Sequence, residues 1–243
     1  LEEFGDEWGN KLMFHYRWAR EVDQRSGAAR LVHEAIPGAD PETLAKAAEV
    51  MRERMVGRVW FVGSSAETAP QIEDSYRDTL DLLEAHLGHR PYLFGSRPVF
   101  ADFGLWGQIY QASTDPTPGA ILRERAPSVL AWVDRMLHPA ALGELESLDA
   151  LAATLTPLLR RQVGGRFLPW SDANARAIAA GSESFSVDLD GHTYTQKPQK
   201  YHARSLAALR ARYAATGSPP ELDRILADTG CLPWLRAQES DSR

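Results

Sequence analysis

The chain has 243 residues, 44% hydrophobic and 25% charged, with a formal net charge of −6. That length can bury a full core as one large domain or as a domain plus an extension, while the negative field opposes nonspecific binding to nucleic acid or to anionic membranes. A single cysteine, Cys231, excludes a disulfide framework and a cysteine-based zinc cage and fits a reducing, cytoplasmic compartment; no apolar run approaches the roughly 18 residues of a membrane span.

Residues 1 to about 35 read as a helix that can break near Ser26-Gly27. At about 100° per residue, Leu1, Phe4, Trp8, Leu12, His15, Trp18, Ala19 and Val22 gather in one stripe. A turn follows at Pro37-Gly38-Ala39-Asp40-Pro41, where Asp40 caps the next helix and Pro41 opens it. That helix carries Leu44, Ala47, Ala48, Met51, Met55, Val59 and Val62 until Gly63 stops it. A third runs from about Glu67 to His86, with Ile72, Tyr76, Leu80, Leu83 and Leu87 as its seam.

Next comes Arg90-Pro-Tyr-Leu-Phe-Gly-Ser-Arg-Pro-Val-Phe-Ala-Asp-Phe-Gly-Leu-Trp-Gly-Gln108. Pro98 precedes a helix that it cannot sit inside. Asp102 falls three residues after Val99, so its carboxylate can reach back to the Val99 N–H. Val99, Phe103, Trp106 and Tyr110 recur at spacings of three and four and are expected to form one buried face. Gly104 and Gly107 leave room on that helix for another backbone to approach.

Asp115-Pro-Thr-Pro-Gly119 reads as a rigid proline turn, and Pro127 opens a fifth helix ending near Leu137. Beyond Pro139, residues 148–162 and 169–180 look helical, separated by Gly164-Gly165. Phe185, Val187 and Leu189 alternate with polar residues, and Asp190-Gly191 is a strong hairpin turn. A two-residue turn there sets Leu189 opposite His192 and Val187 opposite Tyr194. A helix from about Gln199 to Ala215 follows, Pro219-Pro220 opens a last short one, and Gln238–Arg243 form a polar end. The expected fold class is all-α: an orthogonal helical bundle with one small hairpin.

The Pro98–Asp102 junction and the helix after it resemble the capping box and core helix of the all-helical C-terminal domain of glutathione S-transferases. The likeness takes in Glu2–Trp8 and Phe14–Trp18, which look like the first long helix of that domain, and Arg125–Met136. It covers roughly residues 1–140, leaving 141–243 as an extension with the hairpin near 185–196, similar to one found in a subset of these proteins. One position departs from the pattern. The family's cap is Ser or Thr, and Val99 has no side-chain oxygen, a loss of about 1 kcal/mol that tertiary packing must offset.

The resemblance implies the co-substrate half of a glutathione-conjugating cleft. A thioredoxin-like domain would precede it; the opening on Leu1, already inside an amphipathic pattern, suggests the same. That domain would carry the catalytic residue and most of the glutathione pocket. Implied partners are a small hydrophobic electrophile and a second copy of the chain as a homodimer. The binding candidates are Phe14, His15, Arg17, Trp18, Trp106 and Tyr110, with no catalytic residue assigned. Flat aromatic surface suits flat apolar molecules, and Arg17 could attract a carboxylate. The same residues also read as core: His15 as a hydrogen-bonded histidine, the aromatics as packing. Val99 and Asp102 are assigned to helix capping alone. A different class of function is a non-catalytic interaction or dimerisation module, since fold does not fix function.

Metal binding has little support, because His86 and His89 bracket a helix end without a third ligand. No nucleophile elbow or phosphate loop occurs. Lys197, Lys200, Arg204, Arg210 and Arg212 make a basic run with no acid between Asp190 and Glu221. The solvated-helix reading is preferred to a nucleic-acid face, because Leu206, Leu209 and Tyr213 form its buried side.

Overall fold

The computed structural model describes residues 1–236; the polar end at Gln238–Arg243 lies outside them. The fold is mostly helical with one two-stranded antiparallel hairpin, as expected. A π-helical segment, Phe4–Gly9, leads into α1 (Asn10–Ala19), and α2 (Glu21–Ala35) returns beside it. The break falls at Arg20, whose backbone is extended (φ −118°, ψ 139°), and not at Ser26-Gly27. Gly27 instead lies inside α2, where a Cβ would stand 2.9 Å from the Arg17 side chain. The chain turns at Arg20 so that Gly27 can cross Arg17. This leaves Ala19 and Val22 outside the predicted buried stripe, whereas Phe4, Trp8, Leu12, His15 and Trp18 are buried.

Asp40 caps α3 (Pro41–Val56) as predicted, its Oδ1 accepting from the Glu42 and Thr43 N–H groups at 3.0 Å. The helix is shorter than expected; Val59–Val62 form a separate 3₁₀ turn that Gly63 ends at φ 71°. In α4 (Ala69–Leu87) the seam of Ile72, Tyr76, Leu80, Leu83 and Leu87 is buried throughout.

The buried side of α5 (Phe100–Ser113) differs from the expectation. Ala101, Leu105, Ile109 and Ala112 face the core, while Phe103 is 45% exposed and Phe100 79%. The reason is a backbone crossing: a Cβ on Gly5 would lie 2.6 Å from the Gly104 carbonyl carbon, and one on Gly104 2.9 Å from the Glu2 carbonyl oxygen. Only small residues fit that crossing, so they turn inward; Val99, Trp106 and Tyr110 pack partly buried at the edge of the core and Phe103 faces away. A Cβ on Gly107 would meet nothing within 4 Å.

Asp115–Gly119 is the entry to α6 (Pro116–Arg125), not a free turn. Prolines in a first turn forfeit no helical hydrogen bond, and Asp23 Oδ1 from α2 accepts the Thr117 N–H at 2.7 Å. Pro127 opens α7 (Pro127–Arg135). Beyond it, α8 (Leu148–Leu158), a π-helical run at Leu159–Phe167 and α9 (Leu168–Ala180) are continuous. Gly164-Gly165 therefore separates nothing. Gly164 lies against the Thr229 carbonyl, which a Cβ would approach to 2.2 Å.

Strands β1 (Phe185–Leu189) and β2 (His192–Gln196) pair in the predicted register, Leu189 with His192 and Val187 with Tyr194. The hairpin is followed by α10 (Lys200–Ala215), α11 (Pro220–Asp228) and, beyond the expected elements, a short α12 (Leu232–Leu235). Core side chains from Phe4 to Leu235 form one contiguous cluster, so residues on both sides of position 140 share it.

Candidate functional site

The predicted binding residues on α1 point in two directions. His15 is 1% exposed. Its Nδ1 lies 2.8 Å from Ser64 Oγ and its Nε2 3.5 Å from Glu73 Oε1. Burial lowers its pKa more than Glu73 raises it, which favours the neutral ring. Glu73 also pairs with Arg20 and Arg77.

On the other side, Arg17 donates through Nε to Asp115 Oδ2 at 2.6 Å and through Nη2 to the Gln111 carbonyl at 2.7 Å. Arg30 completes the pair on Asp115 Oδ1 at 2.8 Å. Arg17 is thus occupied by a buried carboxylate and is not free to receive an anion. Trp18 is buried, and Phe14, half-buried, lies 6.3 Å from it between ring centroids.

Trp106 and Tyr110 stack on each other at 5.1 Å and 19°, and the indole N–H of Trp106 donates to the Val133 carbonyl at 3.0 Å. Both are half-buried. With Phe100 and Phe103 they form an aromatic strip along the outward side of α5. Arg17 is the link between the two predicted groups, through Gln111, one residue beyond Tyr110.

Asp102 performs the capping role assigned to it and more. Its Oδ2 accepts the Val99 N–H at 3.0 Å, while Oδ1 accepts the Leu93 N–H at 2.9 Å and the Trp132 indole at 3.0 Å. The oxygen that Val99 lacks is replaced by its own carbonyl, which accepts the Asp102 N–H at 2.9 Å. Three donors on one buried carboxylate offset the missing side-chain cap.

Two features went unread in the sequence. Lys11 is 1% exposed inside a box of Trp8, Trp170 and Tyr194, with Nζ 4.4 Å from the Trp170 ring centroid. It donates to the Val62 carbonyl and, at 2.9 Å, to Gln196 Oε1, and desolvation holds its pKa well below the usual lysine value. No periodicity marks it, because two of its cage residues come from beyond position 169. The second feature is a cleft of about 490 Å³ between α4 and the hairpin, lined by Asp74, Asp78, Arg166 and Asp190 among others. Its sequence signal is the polar row Gln71, Asp74, Asp78 and Asp81, at helical spacing on one side of α4.

Two of the five bases in the basic run, both on α10, are tied to acids. Arg210 binds Asp172 at 2.8 Å, Arg212 bonds Glu2 and Glu3, and Leu206 and Tyr213 are buried beneath. Cys231 is buried, and burial pushes its thiol pKa up, so it packs as an apolar residue. Among the described residues, no group of three or more His, Cys, Asp or Glu could hold a metal ion, and no helix is long and apolar enough to cross a membrane.

In comparison with known protein families, residues 41–135 match the glutathione S-transferase C-terminal domain. Neither the curated proteins nor the solved structures contain a match to the chain. The matched segment runs from the start of α3 to the end of α7 and contains the Pro98–Asp102 junction. Residues 41–135 of this chain are a glutathione S-transferase C-terminal domain.

Proposed function

We infer that this chain is the helical, co-substrate-side part of a glutathione S-transferase-like enzyme that conjugates glutathione to small electrophiles. A thioredoxin-like domain in the same protein supplies the glutathione pocket and the group that stabilises the thiolate. The observation that carries the reading is the aromatic strip on α5, lying within the matched segment, with Phe100 and Phe103 exposed and Trp106 and Tyr110 half-buried beside them. Large exposed aromatics in a row mark a binding surface more often than chance exposure does. Phe14, Trp106 and Tyr110, each half-buried, are the predicted residues that can touch an electrophile. His15, Arg17 and Trp18 act behind them by holding α1 in place. A cytoplasmic homodimer belongs to the same reading.

The test uses the protein with its thioredoxin-like domain. Retention on a glutathione resin and conjugation of an aryl halide are expected, while residues 1–243 alone show neither. Loss of conjugation on Phe103→Ala, with the fold intact, would support the strip as the electrophile side. If the longer protein ignores glutathione, the reading fails. The strip would then serve the second function class, a non-catalytic interaction module.

A further inference from the structure

Gly63-Ser64-Ser65 lies between the 3₁₀ turn and α4, where Gly63 turns the chain at φ 71°. A Cβ there would come within 2.5 Å of Tyr194 Oη and of Gln196 Oε1, so only glycine fits the bend. The backbone around it is fixed. The Gly63 carbonyl accepts from Thr68 Oγ1 at 2.6 Å and from Tyr194 Oη at 3.1 Å, and the Ser64 N–H donates to the Val59 carbonyl at 3.2 Å. This bend sets Ser64 Oγ 2.8 Å from His15 Nδ1. With Nδ1 accepting the Ser64 O–H, the ring proton lies on Nε2, 3.5 Å from Glu73 Oε1. That distance is long for a hydrogen bond, yet the carboxylate favours a positive ring, with Arg20 opposing it. Burial keeps the resting ring neutral and so able to take a proton. Ser64, 7% exposed, lines a cleft of about 480 Å³ between the 3₁₀ turn and the hairpin, within the usual size range of small-molecule sites.

We propose that this cleft is an esterase centre, with Ser64 as nucleophile, His15 as its base and Glu73 as the residue that positions the ring. Ser64 Oγ attacks the carbonyl carbon of a short carboxylic ester while its proton passes to His15 Nδ1. The tetrahedral adduct collapses as the bond to the alkoxy oxygen breaks, and His15 returns the proton to the departing alcohol. Water repeats the sequence on the acyl-serine, releasing the carboxylic acid and restoring the Ser64 hydroxyl. In the Ser-His-Asp triad it is Nε2 that faces the serine. Here the two ring nitrogens are exchanged, but the order serine, base, acid is the same. Lys197 brings positive charge into the same cleft, which favours the negative charge that develops on a carbonyl oxygen. Trp60, 42% exposed at the cleft, offers apolar surface to the acyl or aryl group. The inference is independent of the aromatic strip and of any glutathione-conjugating activity.

The experiment treats the full chain with a fluorophosphonate, which transfers its phosphonyl group to a serine oxygen with loss of fluoride, and maps the label by mass spectrometry. A label on Ser64 is expected, together with hydrolysis of p-nitrophenyl acetate. Ser64→Ala should keep the thermal midpoint and lose the hydrolysis. His15→Gln can still hydrogen-bond Ser64 but cannot take its proton, so it should lower kcat about a hundredfold or more and leave Ser64 unlabelled. Glu73→Gln should lower kcat at unchanged KM, a split that a merely structural role would not produce. Absence of a label on Ser64 in the parent chain, or parental hydrolysis by a folded Ser64→Ala, would overturn the proposal.

Discussion

Lys11 Nζ lies 2.9 Å from Gln196 Oε1 and joins the first α-helix to the second strand of the hairpin across 185 positions of sequence. The two acceptors that Lys11 uses are not solely its own. Tyr194 also donates to the Val62 carbonyl at 3.0 Å, and Trp170 to Gln196 Oε1 at 2.9 Å. Lys11→Met therefore keeps the stem and orphans no acceptor, and replacing a buried charge by an apolar chain of similar volume is often neutral or stabilising. Urea denaturation should place Lys11→Met within about 1 kcal/mol of the parent, whereas Lys11→Ala, which opens a cavity, should lose roughly 2–4 kcal/mol.

The same lysine sets a pH dependence. Its folded pKa lies well below the 10.5 of the free side chain because burial disfavours the charged form. The unfolded chain then binds the proton more tightly, so stability falls as pH drops from 10.5 toward the folded value. In denaturant titrations from pH 10.5 downward, Lys11→Met should lose this slope. A variant retaining the full slope would show that another group causes it.

His15 predicts a second acid-side loss. Burial lowers its folded pKa below 6.5, and His86 is lowered in the same way. Stability from the neutral rings is complete above pH 6.5 and is lost as pH falls through 6.5 toward the folded values. Thermal midpoints measured between pH 7.5 and 5 should drop, and His15→Gln should drop less steeply over that interval. Parallel curves would remove His15 from the explanation.

Asp102→Ala should be among the most damaging single changes in the chain. It strands the Leu93 N–H, the Val99 N–H and the Trp132 indole together, a loss of roughly 3–5 kcal/mol. The expected result is a lower urea midpoint with an unchanged m-value. A loss under about 1 kcal/mol would mean that the Pro98–Asp102 junction is held by packing alone.

Arg17 separates a structural role from a binding one. Asp115→Ala leaves a 5%-exposed guanidinium without its carboxylate and should cost about 3–5 kcal/mol. Arg17→Met should cost less, because Arg30 still pairs with Asp115. Equilibrium unfolding of both variants decides the matter; if Arg17→Met left stability unchanged but abolished glutathione binding in the longer protein, the anion-binding role would be restored.

The elements legible in the sequence were those specified by nearest neighbours. Asp40 before Pro41, the apolar seam of α4, Asp190-Gly191 between alternating residues and Asp102 three after Val99 each carry their whole signal within a few positions. The aromatic side of α5 was misread for a related reason. Periodicity reports that Phe103, Trp106 and Tyr110 share a side, but it cannot report that Gly5 and Gly104 have claimed the opposite one by a backbone crossing. Likewise Gly164-Gly165 resembles a break until the Thr229 carbonyl is seen against it.

The candidate site divides along the same line. The linear chain determined a helical fold with one hairpin, the capped junction, and the residue types that make aromatic and charged surface. Which side chains are available was decided by the tertiary structure: it occupied Arg17 with Asp115, caged Lys11, enclosed His15 and left Phe100 and Phe103 uncovered. Helical propensity and capping act over one or two turns, whereas burial and ion pairing depend on which segments meet, and those partners lie from about 50 to nearly 200 positions away.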